Sequence, residues 1–275
     1  LIVGDYFSKS NADDLKFTDK ATDLITWLRS KTLILAHLQG KTVIRAVLTR
    51  WTAHYQAFTR LLELRTKLHW LVIQDEEQSD EKQRIMKTGP AAAQRKATEM
   101  MAIIKKEEFW EALKRIIDHL EPLAIAANII QAAHCHLDQV LVTFGYLFLQ
   151  YSNMNVTDRR GCEAIMASIE SRWLKSDQEL FVAAVLLNPV YRNLPFAEIP
   201  VFNLAGIQEL LMRLWKRFFP DEQFDFQFLN HLDDYFHNRG FFAPLPSRTK
   251  LELQNAMTNV SCSNLSMSIL LNIDT

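Results

Sequence analysis

TVIRAVLTRWTAHYQAFTRLLELRTKLHWLVIQD, the stretch that runs from Thr42 to Asp75, contains neither glycine nor proline. Its apolar side chains recur at helical spacing, at Val43, Val47, Trp51, Phe58, Leu61, Leu62, Leu68 and Val72. That spacing places them on one face of an α-helix, because successive residues of a helix are about 100° apart. The stretch therefore predicts a long amphipathic helix with at most one break.

Helical patterning continues on both sides of this stretch, and no segment alternates apolar and polar residues as a half-buried strand does. Only 7 glycines and 8 prolines occur in 275 residues, which disfavours folds rich in tight turns. Pro122 is expected to begin a new helix. The further predicted helices are Ala21–Gln39, Ala97–His119, Leu123–Tyr151, Gly161–Leu174, Gln178–Leu187, Leu204–Phe219 and Asp225–His237. The fold class is therefore predicted to be mainly α, a multi-helix array with little or no sheet.

Two segments interrupt the helical pattern. Residues 74–95 are polar and acidic and contain a Gly-Pro pair, so we expect a mobile loop there. Beyond Gly240 the periodicity is lost, and the chain becomes rich in serine and asparagine. Residues 1–240 are therefore predicted to form one helical domain, and residues 241–275 are predicted to form an irregular tail.

The composition disfavours several classes of function. The formal net charge is −1, so the whole chain lacks the basic excess that is typical of free-standing duplex binders. Its three cysteines, Cys135, Cys162 and Cys262, have neither zinc-ligand nor redox spacing, which indicates an intracellular protein without disulfides. No apolar run reaches the roughly 18 residues that a membrane span needs, so we expect no membrane partner. Because the chain starts without methionine, we expect it to be the interior of a longer protein.

Two local signatures lie far apart in the chain. The first is LTRWTAHY at Leu48–Tyr55, and the second is FVAAVLLNPVYR at Phe181–Arg192. Their order, on either side of a long helical stretch, resembles the hAT superfamily of DNA transposases, and its fungal members in particular. The resemblance covers about residues 1–220 and implies the helical insertion domain of an RNase H-like transposase. It also implies an association with DNA and a nuclear location.

In complete members of that family, two aspartates and one glutamate hold Mg²⁺ or Mn²⁺ ions that activate water and stabilise the oxygens of strand cleavage. The acidic residues of this chain do not stand in that context. Asp5 and Asp13 do not match the aspartate positions, and Glu252 lacks the surrounding motif. We therefore expect no catalytic residue, no bound metal and no cofactor in this chain, and we do not expect it to be an enzyme.

By the same resemblance, Arg50 and Trp51 lie where the catalytic core meets the helical insertion, and they help to hold DNA ends. Arginine offers a two-pronged donor for phosphate, and tryptophan offers a face for an unstacked base. The alternative is structural. Trp51 lies on the apolar stripe with Val47 and Phe58, where it would belong to the core with Arg50 at its edge.

Four basic doublets lie near tryptophans. Lys105-Lys106 is followed directly by Glu107 and Glu108, and the residues of the other three are Lys114, Arg115, Arg159, Arg160, Lys216 and Arg217. If one surface gathers these doublets, they would line a groove for nucleic-acid phosphates. The alternative is that each doublet belongs to the solvated face of its own helix. The two interpretations differ in whether the doublets converge.

The stretch from Trp215 to Phe242 is rich in aromatic residues. Such a stretch is typical of a surface that binds a protein partner or a second copy of the chain, and equally of the core of the last helices. The leading hypothesis is a catalytically incomplete, hAT-type transposase-derived protein that associates with DNA. The alternatives are a non-enzymatic helical scaffold for protein interactions and a transposon relic without selected function.

Overall fold

The computed structural model describes most of the chain, and the described residues are 2–9, 13–38, 42–45, 52–156, 158–196 and 199–251. Within those ranges the regular secondary structure consists of α-helices and short 3₁₀ turns, and no residue belongs to a strand. The prediction of a mainly α, multi-helix fold is therefore confirmed.

The α-helices of the described ranges are α1 (Ile2–Lys9), α2 (Thr18–Arg29), α3 (Thr32–His37), α4 (Thr52–Glu63), α5 (Arg65–Glu77), α6 (Ala91–Lys105), α7 (Glu107–Ile130), α8 (Leu137–Asn155), α9 (Arg159–Lys175), α10 (Gln178–Leu187), α11 (Leu204–Phe218) and α12 (Gln227–Phe236). The 3₁₀ turns are Asp13–Phe17, Glu81–Gln83, Leu194–Phe196, Pro200–Phe202 and Gly240–Phe242.

These helices pack into two compact units, whereas the sequence predicted one domain over residues 1–240. The first unit contains Leu1–Ala127 and Gln150–Ser168, and the second unit contains Asn128–Leu149 and Ile169–Thr275. Helices α7, α8 and α9 therefore each contribute residues to both units. A boundary that falls inside helices has no Pro-rich or Gly-rich linker, which is the signal that usually marks a domain boundary in a sequence.

The core of the first unit is formed by apolar faces of α2, α4, α5, α6 and α7. Helix α2 contacts α4 and α6, and α5 contacts α6. Phe58 of α4 and Trp110 of α7 are fully buried in this core. The indole N–H of Trp110 donates to the carbonyl oxygen of Ile104 at 2.7 Å. Burial of this large side chain therefore leaves no indole donor unsatisfied.

The long amphipathic stretch, which was predicted as a helix with at most one break, contains two helices, α4 and α5. Residues 42–45 are not helical, and residues 46–51 lie outside the described residues. The break between α4 and α5 falls at Leu64, whose amide N–H is shared between the carbonyl oxygens of Arg60 and Leu61 at 3.2 and 3.1 Å. Leu64 is fully buried. The apolar stripe thus continues across the break, which is why the periodicity does not locate it.

Two predictions about helix ends were wrong. Pro122 lies inside α7 rather than at the start of a helix, and an interior proline costs about 3 kcal/mol. The neighbouring Leu120 and Leu123 are buried, and each buried leucine contributes about 1.5–3 kcal/mol, so packing holds the helix across the proline. The predicted helix Leu123–Tyr151 is interrupted, because residues 131–136 form a turn between α7 and α8.

The loop that was predicted over residues 74–95 is shorter, because α5 and α6 extend into it from both sides. The buried carboxylate of Asp75 accepts the backbone N–H groups of Ile85, Met86 and Lys87 at 2.6, 2.7 and 3.2 Å. These three hydrogen bonds tie the loop to the end of α5. The mobility of this loop stays a prediction.

The described part of the tail, which was predicted to be irregular over residues 241–275, contains a helical segment at residues 245–251. Pro246 stands in the first turn of this segment, where its missing N–H would have had no partner in the helix. Residues 252–275 lie outside the described residues.

The second unit is built on α10, α11 and α12, with α11 in contact with both of the others. Arg213 of α11 pairs with Glu179 of α10, and Arg217 of α11 pairs with Asp177 just before α10. The order of these pairs shows that α10 and α11 run antiparallel. The core of this unit contains Val182, Ala183, Leu186, Ile207, Leu210, Leu211, Leu214, Leu232 and Tyr235.

Among the described residues, no helix has both the length and the apolar character that crossing a membrane would require.

Candidate functional site

Three side chains from separate segments of the first unit form a hydrogen-bonded chain, which we call the polar centre. The Oη of Tyr6 in α1 lies 2.9 Å from Nδ1 of His119 in α7. The Nε2 of His119 lies 3.0 Å from Oδ2 of Asp158, the residue that precedes α9. Tyr6 and His119 are only 0% and 3% exposed. The polar centre thus joins α1, α7 and the start of α9 in the interior of the unit.

The hydrogen bonds of the polar centre fix where its protons lie. The carboxylate of Asp158 accepts, so Nε2 of His119 carries the proton, and Nδ1 accepts from the hydroxyl of Tyr6. Burial lowers the pKa of His119 below its ordinary value of 6.5, although Asp158 acts in the opposite direction. Burial also raises the pKa of Tyr6. Both rings are therefore neutral at neutral pH, and a fully buried hydroxyl has no access to a substrate.

Asp158 uses its two carboxylate oxygens for different purposes. Oδ2 faces His119, while Oδ1 accepts the backbone N–H of Gly161 at 3.0 Å and so caps the first turn of α9. A Cβ atom at Gly161 would lie only 2.1 Å from Cε1 of His119. Glycine is therefore required there, because the imidazole ring occupies the space that any side chain would need.

Cys162 follows this glycine on α9 and is fully buried. Burial, and then the nearby Asp158, raise the pKa of the Cys162 thiol to about 11. Reactive cysteines have a lowered pKa and partial exposure. Cys162 therefore lacks the properties of a nucleophile, and the polar centre has the character of a structural tie between helices.

Sequence reasoning missed the polar centre. Tyr6 and His119 are 113 residues apart, and no local pattern joins them to Asp158. His119 lies among the apolar residues of α7, so its position alone gives no sign of two polar partners. The one available signal was an aspartate three residues before a glycine at the start of a predicted helix, which is typical of an N-terminal cap.

Two of the basic doublets meet at the 3₁₀ turn that begins with Asp13 and Asp14, which we call the acidic turn. The guanidinium of Arg115 forms two parallel hydrogen bonds with Asp14, Nε to Oδ2 at 2.7 Å and Nη2 to Oδ1 at 2.9 Å. Nη1 of Arg160 lies 3.2 Å from Oδ2 of Asp13. Arg115 of α7 and Arg160 of α9 therefore converge on neighbouring carboxylates.

The other members of these two doublets pair within their own helices. Lys114 pairs with Asp118 on α7, and Arg159 pairs with Glu163 on α9 at 3.1 Å. Solvent-exposed pairs of this kind contribute little to stability, because water and salt screen them. Each of these basic side chains is thus held near a carboxylate without being buried.

The doublet of Lys216 and Arg217 belongs to the second unit. Arg217 pairs with Asp177, and this hydrogen bond lowers the pKa of Asp177 below its ordinary value. Lys216 is exposed. The residues that the resemblance associates with DNA ends, Arg50 and Trp51, lie outside the described residues.

The second unit carries an apolar groove of about 330 Å³ between α10 and α11. Its lining residues are Leu180, Ala183, Ala184, Leu187, Leu211, Leu214, Trp215, Phe218, Phe219, Phe224 and Phe228. On α10 these residues recur at intervals of three, one and three, which places them on one helix face. The groove therefore runs along an apolar face of α10 that adjoins the face packed on the core through Val182 and Leu186, and Ala183 belongs to both faces.

The aromatic stretch from Trp215 to Phe242 divides between the two predicted roles. Tyr235 is buried in the core of the second unit, and three phenylalanines, Phe228, Phe236 and Phe242, pack against that core. Phe218, Phe219, Phe226 and Phe241 are exposed. Part of the stretch thus closes the core, and part is available for an interaction.

Within the described ranges, no group of three or more histidine, cysteine, aspartate or glutamate side chains is placed to hold a metal ion. The adjacent carboxylates Asp233 and Asp234 instead pair with Arg239.

Comparisons with models of known protein families, with curated proteins and with solved structures gave no match. Function is therefore inferred from the residues of this chain.

Proposed function

We propose that the chain is a catalytically incomplete helical module, related to hAT-type transposases, that associates with nucleic acid in the nucleus. The observation that supports this proposal most directly is the convergence of Arg115 and Arg160 on the acidic turn. Two guanidinium groups from different helices there lie close enough to reach neighbouring anionic groups. A full-length relative would cut DNA with Mg²⁺ or Mn²⁺ through acidic residues that this chain does not place in the family context.

The chemistry of the two arginines suits phosphate. A guanidinium binds a phosphate in the same two-pronged manner in which Arg115 binds Asp14. Arg115 is half-exposed and Arg160 is largely exposed, so a nucleic-acid backbone has access to both. Such contacts release counterions, and each phosphate contact adds about 0.9 to the slope of log affinity against log salt concentration.

The test is fluorescence anisotropy with labelled duplex and hairpin DNA, at salt concentrations from about 50 to 200 mM. The wild-type chain should bind at low salt, and Arg115→Ala/Arg160→Ala should bind more weakly, with a slope smaller by about 1.8. Arg213→Ala/Arg239→Ala is the matched control, since it removes two ion-paired arginines of the second unit. Absence of wild-type binding at low salt would overturn the proposal.

The same experiment also tests Arg50 and Trp51, the two residues that the resemblance associates with DNA ends. Arg50→Ala/Trp51→Ala should weaken binding to hairpin ends more than binding to a plain duplex, because Trp51 would stack on an unpaired base. Equal losses on both probes would mean that Arg50 contributes charge alone.

The apolar groove favours a second candidate function, a helical scaffold that associates with a second copy of itself. A two-fold interface must supply both a concave and a convex surface from the same patch. The second unit carries the groove, whose lining includes the exposed Phe218 and Phe219, and it also carries the exposed Phe226, which is not part of the lining. Sedimentation velocity should show a concentration-dependent dimer that Phe218→Ser/Phe226→Ser abolishes. A monomer at all concentrations would exclude this candidate.

A further inference from the structure

We infer that the acidic turn, Asp13 and Asp14, is an internal competitor of nucleic-acid phosphate for Arg115 and Arg160. The inference rests on the proposed function, because it describes how the same arginines are regulated. In the structure the two carboxylates pair with the two guanidinium groups, and we call this the closed arrangement. A phosphate backbone must displace the carboxylates in order to bind.

The contact between Arg115 and Asp14, which we call the inner contact, has the geometry with which arginine binds phosphate. Arg115 and Asp14 share two parallel hydrogen bonds at 2.7 and 2.9 Å. The Asp14 side chain is only 16% exposed, whereas that of Arg115 is 46% exposed. The carboxylate is therefore shielded from water while the guanidinium still faces solvent. This contact resists displacement more strongly than a surface pair does.

The contact between Arg160 and Asp13, which we call the outer contact, is weaker than the inner contact and more accessible to solvent. Arg160 and Asp13 share one contact at 3.2 Å, and their side chains are 72% and 76% exposed. Water and salt screen such a pair, so it opens at little cost. Phosphate would therefore replace Asp13 at Arg160 first, and would then compete with Asp14 at Arg115.

The closed arrangement also hides the positive charge of this surface. Arg115 and Arg160 face two carboxylates of the acidic turn, and the neighbouring Lys114 and Arg159 face Asp118 and Glu163. Each of these cations thus lies close to an anion of the chain. The surface attracts phosphate only when the acidic turn is displaced or neutralised, which reconciles a phosphate site with a chain of net charge −1.

The acidic turn has an anchor that does not depend on its carboxylates. Phe17, at the end of the turn, is 3% exposed. Its ring packs edge-on against that of Phe109 in α7, with centroids 6.2 Å apart. Neutralising Asp13 and Asp14 should therefore leave the turn in place, because burial of Phe17 still holds it.

The experiment uses the full chain with Asp13→Asn/Asp14→Asn and a labelled duplex DNA. This variant keeps the shape of both side chains and removes two negative charges. Because Arg115 and Arg160 contact phosphate in the complex of either chain, the salt slope should change little. The affinity at about 50 mM salt should rise about tenfold relative to the wild-type chain, since neither ion pair has to be broken for DNA to bind.

Two variants serve as controls. Asp221→Asn/Glu222→Gln neutralises two exposed acids of the second unit and should change the affinity little. Asp13→Asn alone opens the outer contact and leaves the inner one, so it should give a smaller rise in affinity than the double variant. Adding Arg115→Ala/Arg160→Ala to the double variant should remove the gain.

The outcomes separate the two levels of the proposal. If the wild-type chain binds DNA but Asp13→Asn/Asp14→Asn binds with the same affinity, the acidic turn is not a competitor and the proposed function stands. If the second-unit control gains as much, the effect is general charge and the inference is overturned. If no variant binds at low salt, the proposed function fails, and the inference fails with it.

Discussion

Gly161 is the position at which the smallest change should have the largest effect on the first unit. A Cβ atom there would lie 2.1 Å from Cε1 and 2.6 Å from Nε2 of His119, far inside the roughly 3.5 Å of van der Waals contact. The ring is held on both sides, by Tyr6 at Nδ1 and by Asp158 at Nε2. Gly161→Ala should therefore break at least one of these hydrogen bonds.

The expected magnitude follows from three contributions. Loss of the hydrogen bond between His119 and the charged Asp158 costs about 1.5–3 kcal/mol. Forcing a buried ring out of a packed position costs about 1–3 kcal/mol more. The replacement of glycine by alanine inside a helix returns about 1 kcal/mol. The free energy of unfolding of the first unit should therefore fall by about 1.5–5 kcal/mol.

Gly145, inside α8, supplies the control. Among the described residues, no atom outside its own helix lies within 4 Å of the position of its Cβ. Gly145→Ala should therefore stabilise its helix by about 0.5–1 kcal/mol. Hydrogen exchange read by mass spectrometry measures the two effects separately, in peptides of α7 and α9 and in peptides of α8. If Gly161→Ala stabilised the chain as Gly145→Ala does, the close approach of α9 to His119 would be refuted.

Three further predictions concern buried polar groups. In a urea titration, Tyr6→Phe should lower the free energy of unfolding by about 1–2 kcal/mol, because Nδ1 of His119 loses its donor. The control is Tyr55→Phe, which removes a hydroxyl at the surface and should lower the free energy of unfolding by less than about 0.5 kcal/mol. Burial lowers the pKa of His119 below 6.5, so the unfolded chain binds a proton at a higher pH than the folded chain. Stability should therefore hold above pH 6.5 and fall below it, with a smaller fall in His119→Gln, when urea midpoints are compared from about pH 8 to pH 5. Asp75→Asn leaves one acceptor oxygen for three backbone donors, so hydrogen exchange at residues 85–87 should become faster. An unchanged exchange rate would show that the charge of Asp75 does not hold the loop.

The helices were predictable where one apolar face decides the structure. Gln178–Leu187 was predicted with the bounds that α10 has, because its apolar run is closed by Asp177 before it and by an Asn-Pro pair after it. The sequence did not predict that Pro122 lies inside a helix. The local preference of proline for the start of a helix competes there with the burial of the whole helix. That competition is settled by residues far away in the sequence.

The candidate site was predicted only in part. The doublets that contain Arg115 and Arg160 were named from charge alone. The partner of Arg115, Asp14, is 101 residues away, and the partner of Arg160, Asp13, is 147 residues away. Contacts between residues so far apart depend on the packing of whole helices, and one sequence contains no pattern that reports it.

The polar centre and the arginine pair are linked through the helices that carry them. Arg115 and His119 are four residues apart on α7 and so lie on one face of that helix. Arg160 follows Asp158 by two residues at the start of α9. The hydrogen bond between His119 and Asp158 therefore joins the segments of α7 and α9 that carry the two arginines.

A change at Gly161 should for this reason affect binding as well as stability. If Gly161→Ala moves α9 away from His119, Arg160 moves away from Arg115, and the two arginines no longer engage one stretch of phosphates together. The salt slope of Gly161→Ala should then be smaller than that of the wild-type chain by about 0.9, the value for one phosphate contact, under conditions where hydrogen exchange shows the chain folded. An unchanged slope would mean that the polar centre stabilises the first unit without positioning its arginines.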